Sequence, residues 1–125
     1  MDLAGGEPDA AFAEFWASRE ADDDSRAFAE RLVRGVHAER AGLDRAISES
    51  SENWRVERMA TVDRNVLRLA VYEMLHDPET PAAVVIDEAI EVGKRFGSEK
   101  SGSFINGILD GIRRRISREE TRRNA

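Results

Sequence analysis

Cysteine is absent from the 125-residue chain. Disulfides and thiolate metal sites are therefore excluded, and the composition suits a reducing compartment. No stretch approaches the ~20 consecutive apolar residues that a membrane-spanning helix needs. The opening residues, MDLAGGEPDA, carry neither a cationic segment nor an apolar one, so no secretory signal is expected. The chain is read as soluble and cytoplasmic. Histidine occurs only at His37 and His76. His37 has no carboxylate or second histidine at ligand spacing, and His76 closes a helix, where a charged imidazole favours the dipole. Both read as structural. There is no glycine-rich phosphate loop, no HExxH and no GxSxG. The closely spaced acids Asp87, Glu88 and Glu91 sit on a helix whose other face is apolar, which makes them a solvated face rather than a carboxylate pair or a magnesium site. No cofactor, no metal and no enzymatic activity are expected.

An excess of positive charge is also lacking. The net charge is -6, which argues against nonspecific binding of nucleic acid by the chain as a whole, because phosphate neutralisation needs clustered cations. The charge is uneven. Residues 1–53 hold six arginines against thirteen acids, a net of -7, whereas residues 54–125 hold thirteen basic residues against twelve acids, a net of +1. Any contact with RNA is expected from a local patch in the second half.

Proline and glycine are sparse inside the apolar segments, and apolar residues recur at spacings of three and four, so helices dominate. No strand pattern and no internal repeat is present. A first helix is expected from Pro8 with Ala11, Phe12, Phe15 and Trp16. A second runs from an N-cap at Ser25 with Phe28, Leu32, Val36, Leu43 and Ile47 on one side, although Gly35 and Gly42 weaken its continuity. Residues 48–53 form a polar loop, and a short turn through Val56 and Met59 follows Trp54. The next helix, Thr61 to Leu75, has an apolar surface too wide for a stripe and is expected to be buried on more than one side. Thr80 is placed as an N-cap and Pro81 as the first residue of a helix with Val85, Ile86, Ala89, Ile90, Gly93 and Phe96 together, stopped by Gly97. The last helix stacks Phe104, Ile105, Ile108, Leu109, Ile112 and Ile116, and a polar tail frays beyond Arg118. The expected fold is all-α, a single domain over 1–125 with about six helices. It divides into an N-terminal helical part, 1–53, a C-terminal part, 54–118, and the tail, 119–125.

Three blocks have a pattern of their own: NWRVERMATVDRNVLRLAVYEML (Asn53 to Leu75), PAAVVIDEAIEVGKRFGSEKS (Pro81 to Ser101) and FINGILD (Phe104 to Asp110). Each alone is a weak signature. In this order and spacing, across about half the chain, they resemble the NusB family, and LVRGV at Leu32 to Val36 resembles its third helix. Part of the pattern is architecture, since Pro81 and Gly97 bound a helix. Asn106-Gly107 is locally unfavourable in a helix interior. It reads first as close helix packing at Gly107, with Asn106 bonded to a neighbouring backbone. Phe104 has the spacing of a core residue, yet one turn into its helix it could also stack on a base.

The resemblance implies a fold of two small helical subdomains packed crosswise. It implies an antitermination adaptor that pairs with the ribosomal protein NusE, captures single-stranded boxA RNA and modifies the RNA polymerase elongation complex. Members occur as monomers and dimers, so a homodimer stays open. It implies partner-facing acids at Glu57 and Asp63, the latter also suited to a helix first turn. It implies an RNA side at Phe96, Glu99, Lys100, Ser101 and Phe104, where a helix N-terminus offers N–H groups to phosphate. From its spacing Phe96 also suits the core. Lys100 departs from the family, in which an acid is common there. The family's first helix carries an arginine-rich motif, and Met1-Asp2-Leu3 aligns with that helix's end. The resemblance thus implies either a start assigned too late or a short form with weaker RNA binding. The arginines at 113, 114, 115, 118, 122 and 123 read as a solvated basic end that favours the macrodipole. Two other readings are an RNA-binding domain like that preceding some rRNA cytosine methyltransferases, and a helical interaction module that no longer binds RNA.

Overall fold

A computed structural model describes residues 25–51 and 56–124, with the side chains of 25–28, 57 and 124 excepted. Five α-helices and one 3-10 turn account for most of these residues: α1 (Ser25–Ala38), α2 (Arg40–Glu49), the turn Val56–Arg58, α3 (Thr61–His76), α4 (Ala82–Phe96) and α5 (Ser101–Asn124). No strand occurs among the described residues. The helix expected from Pro8, and Trp54, lie outside them. None of the described helices is long and apolar enough to cross a membrane.

The wide apolar surface of α3 has the consequence expected of it. All four other helices pack on α3, and Val66, Leu67, Leu69, Ala70 and Val71 are buried. Each fully buried aliphatic side chain contributes roughly 1.5–3 kcal/mol relative to exposure. One continuous core joins Leu32, Val36, Leu43 and Ile47 of α1 and α2 to Val85, Ile86, Ala89 and Val92 of α4 and to Ile105, Ile108, Leu109 and Ile112 of α5.

The helix expected across Ser25 to Ile47 is in fact two. The chain bends at Glu39, with φ -107° and ψ 16°, and Glu39 N–H still reaches the Gly35 carbonyl at 3.0 Å. Neither glycine causes the bend. Gly42 meets no described residue within 4 Å, and Gly35 provides room for the ring of Tyr72 on α3, into which any added Cβ would project.

The entry to α4 also differs from the expectation. Pro81 is the N-cap residue, not the first helical one, and its carbonyl accepts from Val84 and Val85 at 3.0 and 3.3 Å. Thr80 caps nothing in α4; its hydroxyl donates to Asp77 Oδ2 at 2.6 Å, closing the turn after Pro78. Gly97 does end α4, its N–H bonded to the Gly93 carbonyl at 2.8 Å. Its φ of -105° is open to any residue, so glycine is required here for space. A Cβ would press on the Gly93 carbonyl oxygen and on the Ser101 hydroxyl.

The last helix does not fray after Arg118 but continues through Asn124. Arginine and glutamate are strong helix formers, and Glu119 precedes Arg122 and Arg123 at the spacing of favourable pairs. Thr121 adds a bond from its hydroxyl to the Ser117 carbonyl at 3.1 Å.

Gly107 overturns the packing explanation for Asn106-Gly107. Both residues are exposed, and a Cβ at Gly107 would meet no described residue within 4 Å. Gly107→Ala should therefore stabilise the chain by about 0.5–1 kcal/mol, because the helix gains propensity and no neighbour is disturbed. Chemical denaturation measures this, and a loss of stability would show that another element lies against the position.

Candidate nucleic-acid and partner interface

The second half is an up-and-down arrangement. Gly102 of α5 lies against Lys94 and Ile90 of α4, Gly93 lies against Ile105, and at the far end Pro81 and Ala82 line a groove with Ile116. The start of α3, the end of α4 and the start of α5 thus share one end of the molecule. Short connections favour this antiparallel order.

The loop between α4 and α5 largely caps itself. Ser98 N–H donates to Ser101 Oγ at 3.0 Å, and Lys100 N–H donates to Ser98 Oγ at 3.3 Å. Ser101 N–H donates to the Ser98 carbonyl at 3.1 Å. This is a reciprocal cap with Ser101 in the place usually held by glutamate or glutamine. Ser101 is 1% exposed and supports the loop from inside. The cap also fills most of the N–H sites that an empty phosphate cradle would need. The other implied residues do come together at the surface. Phe96 is 43% exposed, which removes it from the core face of α4, and the Arg95 guanidinium lies 5.8 Å from its ring centroid. Glu99 and Lys100 are exposed. Phe104 is half-buried against the core.

The two acids that the resemblance implies for a partner face, Glu57 and Asp63, are arranged differently from a pair of surface charges. Asp63, in the first turn of α3, is only 8% exposed, and its Oδ1 is buried without a hydrogen-bond partner among the described residues. Glu57 stands in the adjoining 3-10 turn, and its side chain lies outside the described ones. A buried carboxylate oxygen lacking a donor is costly, and the helix N-terminus offsets part of that cost.

The basic end is less free than its composition implies. Arg115 reaches from α5 to the end of α2, donating to Glu49 Oε1 at 2.6 Å and Ser50 Oγ at 3.1 Å. Arg113 and Arg114 pair with Asp110 at 2.6 and 3.4 Å. The Arg113 hydrogen bond, with the charges of Arg114 and Arg113 adding, holds the Asp110 carboxyl below the usual carboxylate range. The small stabilisation this gives is complete above the ordinary carboxylate pKa and is lost as pH falls through the lowered one. Both histidines are at the surface; the His76 ring stacks on Tyr72 with centroids 4.3 Å apart and meets Glu39 Oε1 at 2.9 Å.

One constellation escaped the sequence. Arg40, Arg45, Arg64 and Arg68, with Asp44, line a cleft of about 330 Å³ between α2 and the start of α3. Arg68, 2% exposed, makes a two-pronged pair with Asp44 at 2.7 and 2.9 Å and donates to Asn65 Oδ1 at 3.1 Å. The i, i+4 spacing of Arg64 and Arg68 was visible in the sequence, but their convergence with α2 was not.

Comparison with known proteins places these features in a family. A family model described as the NusB family matches residues 2–114. "Transcription antitermination protein NusB" of Sorangium cellulosum (strain So ce56) is 51% identical over 106 residues, covering 85% of this chain and 76% of that protein. The solved NusB of T. maritima is 36% identical with a TM-score of 0.72, covering 90% of this chain and 92% of that one. A chain in a solved complex of the antitermination factors NusB and NusE with double-stranded RNA has a TM-score of 0.68, covering 86% and 92%. At 23% identity, that last likeness speaks for the fold alone. With most of its length matched by the family model and by a relative of 51% identity, the chain belongs to the NusB family.

Proposed function

We infer that this chain is a transcription antitermination factor that pairs with the ribosomal protein NusE and takes up single-stranded boxA RNA, so that the elongating RNA polymerase reads through rRNA operons. It acts in the cytoplasm and carries out no catalysis. The family and the name of the relative from Sorangium cellulosum support the antitermination role. The RNA side is carried by one observation: Phe96 is exposed rather than buried, at the same loop as exposed Lys100, whose carbonyl accepts from the N–H of half-buried Phe104. Aromatic faces stack on unpaired bases, at roughly 1–3 kcal/mol per base. The partner side rests on the acids Glu57 and Asp63, in the 3-10 turn and the first turn of α3, whose charge complements a basic ribosomal protein.

Affinity capture with NusE, with and without boxA RNA, tests the reading. NusE should be retained alone, and RNA should bind more tightly to the pair. Phe96→Ala should lower RNA affinity about tenfold or more, as removal of one base-stacking ring implies, while leaving NusE retention and thermal stability close to those of the parent. Failure to retain NusE at any salt concentration would overturn the pairing, and unchanged RNA affinity in Phe96→Ala would remove that residue from the RNA side.

A further inference from the structure

We propose that the arginine-lined cleft between α2 and α3 is a phosphate-binding site, occupied by a backbone phosphodiester of the bound RNA. The second clause rests on the function proposed above; the first does not.

The cleft draws guanidinium groups from two helices: Arg40 and Arg45 from α2, Arg64 and Arg68 from α3. Asp44 is the one carboxylate among the described residues that line it. This concentration runs against the charge of the chain, which is -6 overall, and stands partly in its most acidic half. Guanidinium groups from two helices that face one cleft add their potentials there, which draws an oxyanion. The planar N–H fork of arginine also matches the oxygens of a phosphate group.

Its parts have different tasks. Arg68 is buried and committed to Asp44 and Asn65, so it forms a fixed floor that holds α2 in place beneath the rim. Arg64 is drawn toward the turn by long contacts with the Val56 carbonyl and Thr61 Oγ1, both 3.4 Å. Arg45 is exposed at the rim and is the group best placed to take an incoming anion.

Two measurements test the site. In the first, inorganic phosphate is titrated into the protein while the arginine Nε–Hε resonances are followed by NMR. Saturable shifts at Arg45 and Arg64 are expected, with those of Arg118 and Arg122 on the exposed end of α5 unmoved. In the second, a fluorescent single-stranded boxA oligoribonucleotide is bound to the parent chain and to Arg40→Ala/Arg45→Ala over a salt series. The double variant leaves Arg68 and Asp44 intact and should fold with parental circular dichroism. Its RNA affinity should fall about tenfold, and the slope of log K against log salt should shrink by about 0.7 for each phosphate of the single strand that the variant no longer neutralises. Parental affinity and slope in the variant would overturn the RNA assignment while the proposed function stood. Absent or unsaturable shifts with phosphate would overturn the site itself. A parent chain that binds no RNA yet shows saturable shifts would overturn the proposed function and retain the site for free phosphate.

Discussion

Asp44→Ala is expected to lower the stability of the folded chain by about 3 kcal/mol, among the largest effects of any single substitution outside the aliphatic core. The reason lies in its partner. Arg68 is buried and donates to both Asp44 oxygens, at 2.7 and 2.9 Å. Removing the carboxylate strands a guanidinium in the interior, with the carbonyl of Asn65 as its remaining described acceptor at 3.1 Å. Loss of one member of a buried pair costs about 3–5 kcal/mol. The lower end applies here because the Asp44 side chain is 27% exposed and water can reach part of the gap. Urea unfolding measures the effect directly, and a fall in Tm of roughly 10 °C should accompany it. Replacing both residues by leucine should cost far less than the single change, since no charge is then left buried. A single-variant loss below about 1 kcal/mol would mean that another acceptor holds Arg68 once Asp44 is gone.

Gly35→Ala should cost about 2 kcal/mol, even though alanine is the better helix former by nearly 1 kcal/mol. The Cβ would enter the Tyr72 ring on α3. That ring cannot simply swing aside, because it packs against the core and stacks on His76 with a centroid separation of 4.3 Å. His76 in turn meets Glu39 at the end of α1, at 2.9 Å. The methyl group therefore pushes apart the surfaces by which α1 seats on α3. The check is a double-mutant cycle: with Tyr72→Ala in place, Gly35→Ala should become neutral or stabilising. Additive effects of the two changes would show that Gly35 is tolerated for a reason other than the ring.

These two residue pairs mark where sequence reasoning reached its limit. The breadth of the apolar surface on α3, the core faces of α4 and α5, and the helix ends near Pro81 and Gly97 were legible because each depends on residues within a turn or two. Periodicity at three and four reports which face meets a core, and proline and glycine report where helical bonding stops. The family pattern was legible for the same reason, as an ordered set of short local blocks. Gly35, by contrast, registered only as a weak point in a helix, since its neighbour Tyr72 is remote in sequence. Gly107 was read as a packing residue because a helical glycine looks the same in sequence whether a neighbouring helix or open solvent faces it.

The candidate site divides along the same line. Phe96, Glu99, Lys100 and Phe104 were named from the pattern, and the loop connecting α4 to α5 is short enough that they had to lie close together. Whether each pointed outward was settled by packing: Phe96 faces solvent, while Ser101 turns inward to cap Ser98. Asp63 has the composition of a surface acid and the burial of a core residue, because α3 is enclosed by all the other described helices. From its sequence alone this protein is an all-helical chain of the NusB pattern. The tertiary structure alone decided that Arg68 is paired with Asp44, that Gly35 makes room for Tyr72, and that four arginines share one cleft. Charge and close packing act through space, and the helices that bring those residues together are distant in the chain.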